Sequence, residues 1–430
     1  MLAAFSATAW MLIGARALMG VAGATLAPST LALIANLFRD PIQRRIGIAV
    51  YVSCFMGGAA FGPVVGGILL EWFWWGAVFL LGVPVMAALL IAGPALLPEF
   101  RDKEAGALDL VSIALLLLTI LPGAYGIKAA AQSGLGPGPV TAIAAGTMAG
   151  VVFIRRQAQL SEPLLDLALF RDRVFSTALV VLLCAVATQG GVMLLVGLHL
   201  QAVQGLSPLH AGLCGIAPAL GMVAGSLITP MVARRTPPGT VIVGGLGLAS
   251  VGYLLIGQVP TNGLALLMTS ATVVFLGIGL VGALANDLVV GSAPPAKAGS
   301  AAALAQTSGD LGISLGVAAL GSLGTGVYAS QLTDTLPEHI PTAAVQAAKS
   351  SITAAATTAE TLPGAGGELF DAARVAFTGG LHVTATASAL LLAVLCVAAT
   401  WTLRPPQPAT NPQNHPHHPD GSADQPLAPK

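Results

Sequence analysis

Residues 61–67 read FGPVVGG, one proline and three glycines inside an otherwise apolar run. In water both residue types oppose a helix, glycine by about 1 kcal/mol and proline by about 3 kcal/mol relative to alanine. Yet the run around them, 46–70, is long and apolar enough for a helix that crosses a bilayer. In lipid there is little hydrophobic drive between helices, because lipid tails are as apolar as leucine. Helices then associate through close van der Waals contact, and small residues collect on the contact face. Gly58, Gly62 and Gly66 recur every four residues, which at 3.6 residues per turn forms one flat stripe, with Gly67 beside it. Pro63 removes one backbone hydrogen bond and kinks the helix, which neighbours in a bundle tolerate. Plain small-residue packing accounts for the pattern. A helix both flat and kinked also suits a fold whose halves rock against each other.

The rest of the chain fits a polytopic membrane protein. Of 430 residues 55% are hydrophobic and 8% charged, against about 25% charged in soluble domains, and the mean hydropathy is +0.84. Eleven stretches qualify as spans: 11–36, 46–70, 75–97, 108–128, 138–154, 174–203, 209–233, 239–258, 263–291, 299–326 and 378–403. Residues 1–10 are apolar but too short to cross, and read as the tail of an earlier helix. Thirteen of the eighteen basic residues fall in every second loop: Arg39, Arg44, Arg45, Arg101, Lys103, Arg155, Arg156, Arg171, Arg173, Arg234, Arg235, Lys297 and Arg404. The positive-inside rule makes those loops cytoplasmic, the C-terminus included, and puts 327–377 outside as a loop with short helices. Residues 404–430, with NPQNHPHHPDG, read as a disordered cytoplasmic tail rather than a metal-binding one. Cys54, Cys184, Cys214 and Cys396 lie in apolar stretches at spacings that fit neither a metal site nor a disulfide framework. The 18 basic and 18 acidic residues balance, which leaves no field for nucleic acid.

A charge at bilayer depth is costly and therefore a functional candidate. Three qualify: Arg16, Asp287 and Asp310. Asp310 lies eleven residues into the 299–326 span. Gln306, Thr307 and Ser314 share its helix face, and Gly312 and Gly316 lie roughly opposite. The helix thus has a polar stripe for a cavity and a flat stripe for a neighbour. Desolvation favours the neutral form of a carboxyl, so such an acid can take a proton, or hold an organic cation when ionised. The competing reading is a buried acid bonded to a neighbouring helix. Asp287, after Asn286 near the end of its span, is either a second cavity acid or an interfacial cap. Arg16 requires a carboxylate or carbonyl partner if buried. GIGLVG (277–282) matches a dinucleotide fingerprint but sits inside an apolar helix with no preceding strand, so it reads as packing. Glu71 with Trp72, Trp74 and Trp75 reads as an interfacial belt, and RRTPPG (234–239) as an interface anchor. His199 and His210 are too far from other ligand types to suggest a metal. No Walker A motif is present, and no cofactor, metal or enzymatic constellation is read.

GGAAFGPVVGG (57–67) resembles the antiporter signature in the fifth helix of major facilitator superfamily exporters. LIGARALMGVAGATLAPSTLALI (12–34) is similar to that family's fourth-helix motif, with Arg16 ahead of a glycine-rich face. LQAVQGLSPLHAGLCGIAPAL (200–220) and PPAKAGSAAALAQTSGDLGISLGVAALGS (294–322) resemble the C-terminal half of the fourteen-helix drug:proton antiporter branch. The resemblance implies an all-α fold of two bundles with an extra central helix pair. The sequence supplies about eleven complete helices plus an N-terminal stub, without the family's first two helices and most of its third. Its divisions are then 1–97, an incomplete N-terminal bundle; 98–173, the central pair; and 174–403, the C-terminal bundle. It implies a role for Arg16 in proton transfer and for the acid at Asp310 in drug recognition or proton coupling. Some members carry a second acid four positions earlier, where this chain has Gln306, which speaks against divalent-cation handling.

The expectation is a monomeric, proton-coupled exporter of lipophilic, cationic compounds in a bacterial cytoplasmic membrane. The rivals are a superfamily transporter of another small solute, which would favour more cavity Arg or Lys, and an inactive truncated fragment.

Overall fold

A chain this apolar must satisfy its backbone polar groups internally, and α-helices do so segment by segment. The computed structural model describes residues 1–38, 40–96, 109–134, 136–160, 163, 165–294, 297–335, 340–362 and 364–403, without some side chains between 27 and 60 and those of 95, 96, 131–133 and 335. Among the described residues every regular element is helical. They run α1 (Ala9–Leu37), α2 (Pro41–Trp72), α3 (Ala77–Leu80), α4 (Gly82–Leu96), α5 (Leu110–Ser133) and α6 (Pro137–Gln157). Then come α7 (Arg173–Leu198), continued by a π-turn at His199–Val203, α8 (Pro208–Cys214), α9 (Ile216–Ala233) and α10 (Pro238–Ile256). The last are α11 (Leu264–Ser292), α12 (Ala298–Thr335), α13 (Thr342–Ser350), α14 (Ile352–Thr361) and α15 (Gly366–Thr402). Ten described stretches are long and apolar enough to cross a membrane, and α2 adds the apolar half Phe61–Trp72. The 404–430 tail and Arg39, Arg101, Lys103 and Arg404 lie outside the described residues.

Two expected boundaries move. Residues 1–7 do not continue a helix: they form a turn, with the Ala4 amide donating to the Met1 carbonyl at 3.0 Å. The turn is held by Phe5 against Trp74, ring centroids 6.0 Å apart, and α1 starts afresh where Thr8 Oγ1 accepts from the Met11 amide. The second change is at the 327–377 loop. α12 and α15 run far into it, and α12 alone, at 38 residues, is about 57 Å long at 1.5 Å per residue, against roughly 30 Å of hydrocarbon. Their projecting ends are covered by the α13–α14 hairpin. Ala348 and Ile352 of the hairpin are buried against Leu332, Leu369 and Phe377, and the Tyr328 hydroxyl donates to the Ala348 carbonyl at 2.7 Å. Buried contacts with the hairpin hold both helices past the expected spans 299–326 and 378–403.

The core lies in the C-terminal half, among α7, α10, α11, α12 and α15. Glycine sets these contacts. A Cβ on Gly191 of α7 would stand 2.6 Å from the Gly316 carbonyl of α12, and one on Gly312 2.6 Å from the Leu183 carbonyl. On α11, a Cβ on Gly277 would stand 2.5 Å from the Gly245 carbonyl, so GIGLVG is a packing motif there. α1 and α4 bury few of their described side chains.

α5 and α6 form a hairpin, and α5 packs against α12. Its base is a polar staple. Asp109 caps α5, accepting from the Ser112 amide (3.2 Å) and hydroxyl (2.6 Å) and from Arg156 Nη2 of α6 at 3.0 and 3.1 Å. Gln157, buried, donates to Ser112 Oγ at 2.7 Å and accepts from the Leu165 amide at 3.0 Å. Asp166 in turn pairs with Lys297 at the start of α12. The Ser112 hydroxyl and the Arg156 guanidinium hold the Asp109 carboxyl down at about 2. A carboxyl with a depressed folded value stabilises above its unfolded value, and that contribution is lost as pH falls through the folded one. Acidifying from pH 5 to pH 2 is therefore expected to loosen this staple. Asp109→Asn flattens that part of the melting-temperature profile, as thermal melts of the purified protein across pH will show.

Candidate functional site

α12 is packed on one side and open on the other. Gly312 and Gly316 press on the α7 backbone at Leu183 and Ala187. The opposite face carries Gln306, Thr307, Asp310 and Ser314, all exposed. The Thr307 hydroxyl donates to the Ala303 carbonyl (2.8 Å) and the Ser314 hydroxyl to the Asp310 carbonyl (3.0 Å). Both are thereby tied to their own helix. The Asp310 carboxylate has one described partner, the Gln306 amide, at 3.3 and 3.4 Å from its two oxygens. No arginine, lysine or histidine pairs with it among the described residues. Among the described residues Asp310 is exposed and bonds no neighbouring helix.

The other two charges stand apart from it. Asp287 on α11 is exposed, with no hydrogen bond or ion pair among the described residues, while its neighbour Asn286 donates to the Gly282 carbonyl at 2.8 Å. Asp287 thus caps nothing. Arg16 on α1 is exposed and lies over the Phe79 ring, 5.7 Å from its centroid. Exposed as it is, Arg16 does not fall under the need for a carboxylate or carbonyl partner that burial would impose, and its described contact is this cation–π contact with α3.

The glycine-proline segment makes a different contact from the one the spacing suggested. No described atom lies within 4 Å of where a Cβ would stand on Gly58, Gly62 or Gly66. The close approach lies a third of a turn round the helix. A Cβ on Gly67 would meet the Pro208 carbonyl at 2.7 Å, and one on Gly212 of α8 would meet the Pro63 carbonyl at 2.5 Å. Pro63 and Gly67, one turn apart, therefore lay the α2 backbone directly on α8. Glu71 adds an exposed contact, accepting from the Leu209 amide at 3.4 Å. This is where the N-terminal helices meet the C-terminal ones.

The model of the Major Facilitator Superfamily matches residues 1–317. The chain belongs to that superfamily. As a superfamily member it is 42% identical, over 93% of its length and 79% of the relative's, to the multidrug efflux pump LfrA of Mycolicibacterium smegmatis. It is 31% identical, over 93% of its own and 81% of the relative's length, to the methyl viologen resistance protein SmvA of Salmonella typhimurium. Among solved structures it superposes on a bacterial homologue of the human lysosomal transporter Spinster, in an inward-facing, unoccupied conformation. The TM-score is 0.51 at 15% identity, covering 87% of this chain and 74% of that one, a likeness of fold. The protein is thus an all-α, multi-pass membrane transporter of the superfamily.

Sequence reading missed a cluster in this transporter at the end where α13 and α14 sit. His199, in the π-turn, is fully buried; its Nε2 stands 3.4 Å from the Gln204 amide and its Nδ1 has no described partner. His382 bonds the Val259 carbonyl at 2.8 Å. Arg374 donates to the Val203 carbonyl at 2.8 Å and to Asn262 at 3.2 Å. The cluster ties α15 to the loop before α11. A π-turn is the one local signal that marks it, and hydropathy does not see π-turns.

Proposed function

We propose that the protein is a proton-coupled exporter of lipophilic, cationic small molecules. It works as a monomer in a bacterial cytoplasmic membrane with its Arg-rich loops and C-terminus inside. Segments 1–97 and 174–403 rock about the Pro63–Gly67 and Gly212 contact to expose a shared cavity alternately to each side. Support comes from the names of the relatives, a multidrug efflux pump and a protein of resistance to methyl viologen, an organic dication. The carrying observation is Asp310, an exposed carboxylate inside a membrane-spanning helix whose one described partner is a neutral amide.

The chemistry follows from a single site with two competing occupants. Ionised, Asp310 neutralises a cation that arrives from the inner side. Protonated, it has no charge to offer, so a proton from the outer side discharges the cation there. The exchange is obligatory because the carboxylate holds one positive charge at a time. Asp287 and Arg16 are secondary elements of the proton route, and Gln306, Thr307 and Ser314 line the cavity.

The test is ethidium transport by the purified full chain in proteoliposomes under an imposed pH gradient. Uphill ethidium movement that collapses when a protonophore is added is the expected result. Movement indifferent to the gradient, or none in folded protein, overturns the reading.

A further inference from the structure

α9 and α10 are consecutive in the chain yet scarcely touch; each packs on α11 instead. Gly221 and Gly225 bring α9 onto Thr272 and Leu276 of α11, while Gly245 and Gly277 bring α10 and α11 into backbone contact. The wedge left between α9 and α10 is a cleft of about 230 Å³. Leu280 floors it, Ile228 and Val232 form one wall, Val241 and Gly244 the other, and Thr236 edges it. Gly244 leaves its wall smooth, with no atom within 4 Å of where a Cβ would stand. Leu227 and Met231, next in the chain to the wall residues Ile228 and Val232, are 69% and 71% exposed. No residue of α12 lines the cleft, and it borders an exposed apolar surface of the kind a membrane-spanning bundle turns to lipid.

At the polar end of the cleft, directly after α9, stand Arg234 and Arg235, both exposed. Among the described residues neither has an acidic partner. An apolar slot at membrane depth with two uncompensated guanidinium groups at its end is complementary to one kind of molecule. That molecule carries a hydrocarbon chain and a phosphate with no ammonium beside it. Guanidinium forks bind phosphate oxygens in pairs, and basic pockets between membrane helices take anionic headgroups. We propose that this cleft is a binding site for an anionic phospholipid, one acyl chain in the wedge and its phosphate on Arg234 and Arg235. The lipid would complete the contact that α9 and α10 do not make with each other.

The test is native mass spectrometry of the purified full chain titrated with dioleoyl-phosphatidylglycerol or dioleoyl-phosphatidylcholine, with size-exclusion profiles to confirm folding. Phosphatidylglycerol adducts are expected to exceed phosphatidylcholine adducts at least fivefold. R234Q/R235Q removes that preference. G244L, which fills the wedge and leaves the charges alone, lowers phosphatidylglycerol retention by a similar factor. R171Q/R173Q, two basic residues elsewhere, leaves it unchanged. Equal retention of the two lipids, indifference to R234Q/R235Q, indifference to G244L, or an equal loss in R171Q/R173Q each overturns the proposal. No transport is measured, so failure here leaves the exporter reading standing.

Discussion

Asp310→Asn is expected to abolish proton-driven efflux, lowering the export rate of ethidium at least tenfold in cells that express the full chain to wild-type level. Asparagine keeps the shape of the side chain and its contact with Gln306, so the fold is unaffected. What disappears is the ability to alternate between a neutral and a charged form. The amide can neither neutralise an arriving cation nor accept the proton that later displaces it. Asp310→Glu keeps the charge on a stem one methylene longer and is expected to retain part of the activity, with an altered substrate range. Gln306→Ala removes only the neutral partner, 3.3 Å away. Its effect is expected to be no more than a few-fold change in export rate, because the carboxylate itself remains in place. Efflux by Asp310→Asn that matches the parent and still stops with a protonophore would move the coupling role to Asp287, an exposed acid on α11 with no described ion pair. Measuring both asparagine variants in the same loaded cells separates the two.

Much of this site was legible in the sequence, for a definite reason. Hydropathy reports where a helix must satisfy its own backbone, so ten of the eleven expected spans fall on described helices long and apolar enough to cross, and the eleventh on α2, whose apolar half is Phe61–Trp72. Helical periodicity reports which residues share a face, so Gln306, Thr307, Asp310 and Ser314 could be grouped opposite Gly312 and Gly316. Neither signal says which neighbour fills a face. On α2 the glycines at 58, 62 and 66 form the longer stripe, yet the backbone contact is made by Pro63 and Gly67, about 100° further round. The choice depends on where α8 lies, and α8 comes more than 130 residues later. Arg16 shows the same limit, since its Phe79 partner is 63 residues on, in another helix. The His199–Gln204–Arg374 cluster joins segments that no local pattern connects. The outward extensions of α12 and α15 escaped because their ends are held by buried contacts with the α13–α14 hairpin, where apolar residues are too sparse to register as a span.

On the proposed rocking mechanism, the close backbone approaches divide into those that hold the fold and those that move, and substitution is expected to tell them apart. Gly316→Ala places a methyl group on the backbone of Ala187, and the reciprocal approach of Gly191 to the Gly316 carbonyl leaves α7 no room to withdraw. Overpacking of this kind costs about 1–3 kcal/mol, and Gly316→Leu more, because the obstacle is main chain and not the end of a flexible side chain. Loss of monodisperse protein on size exclusion, or a melting temperature several degrees lower, is expected for Gly316→Ala, and no recoverable folded protein for Gly316→Leu. Gly62→Ala, which meets no described atom within 4 Å, is expected to fold and transport as the parent does. Gly212→Ala is the informative intermediate. Its methyl group would press on the Pro63 carbonyl at the junction of α2 with α8, a contact between the two halves rather than within one. The C-terminal core does not depend on it, so the melting temperature is expected to stay within a few degrees while ethidium export falls severalfold. If Gly212→Ala instead unfolds the protein as Gly316→Ala does, the α2–α8 junction is a fixed part of the fold and the rocking surface lies elsewhere. If it transports normally, the junction has slack that the backbone distances deny.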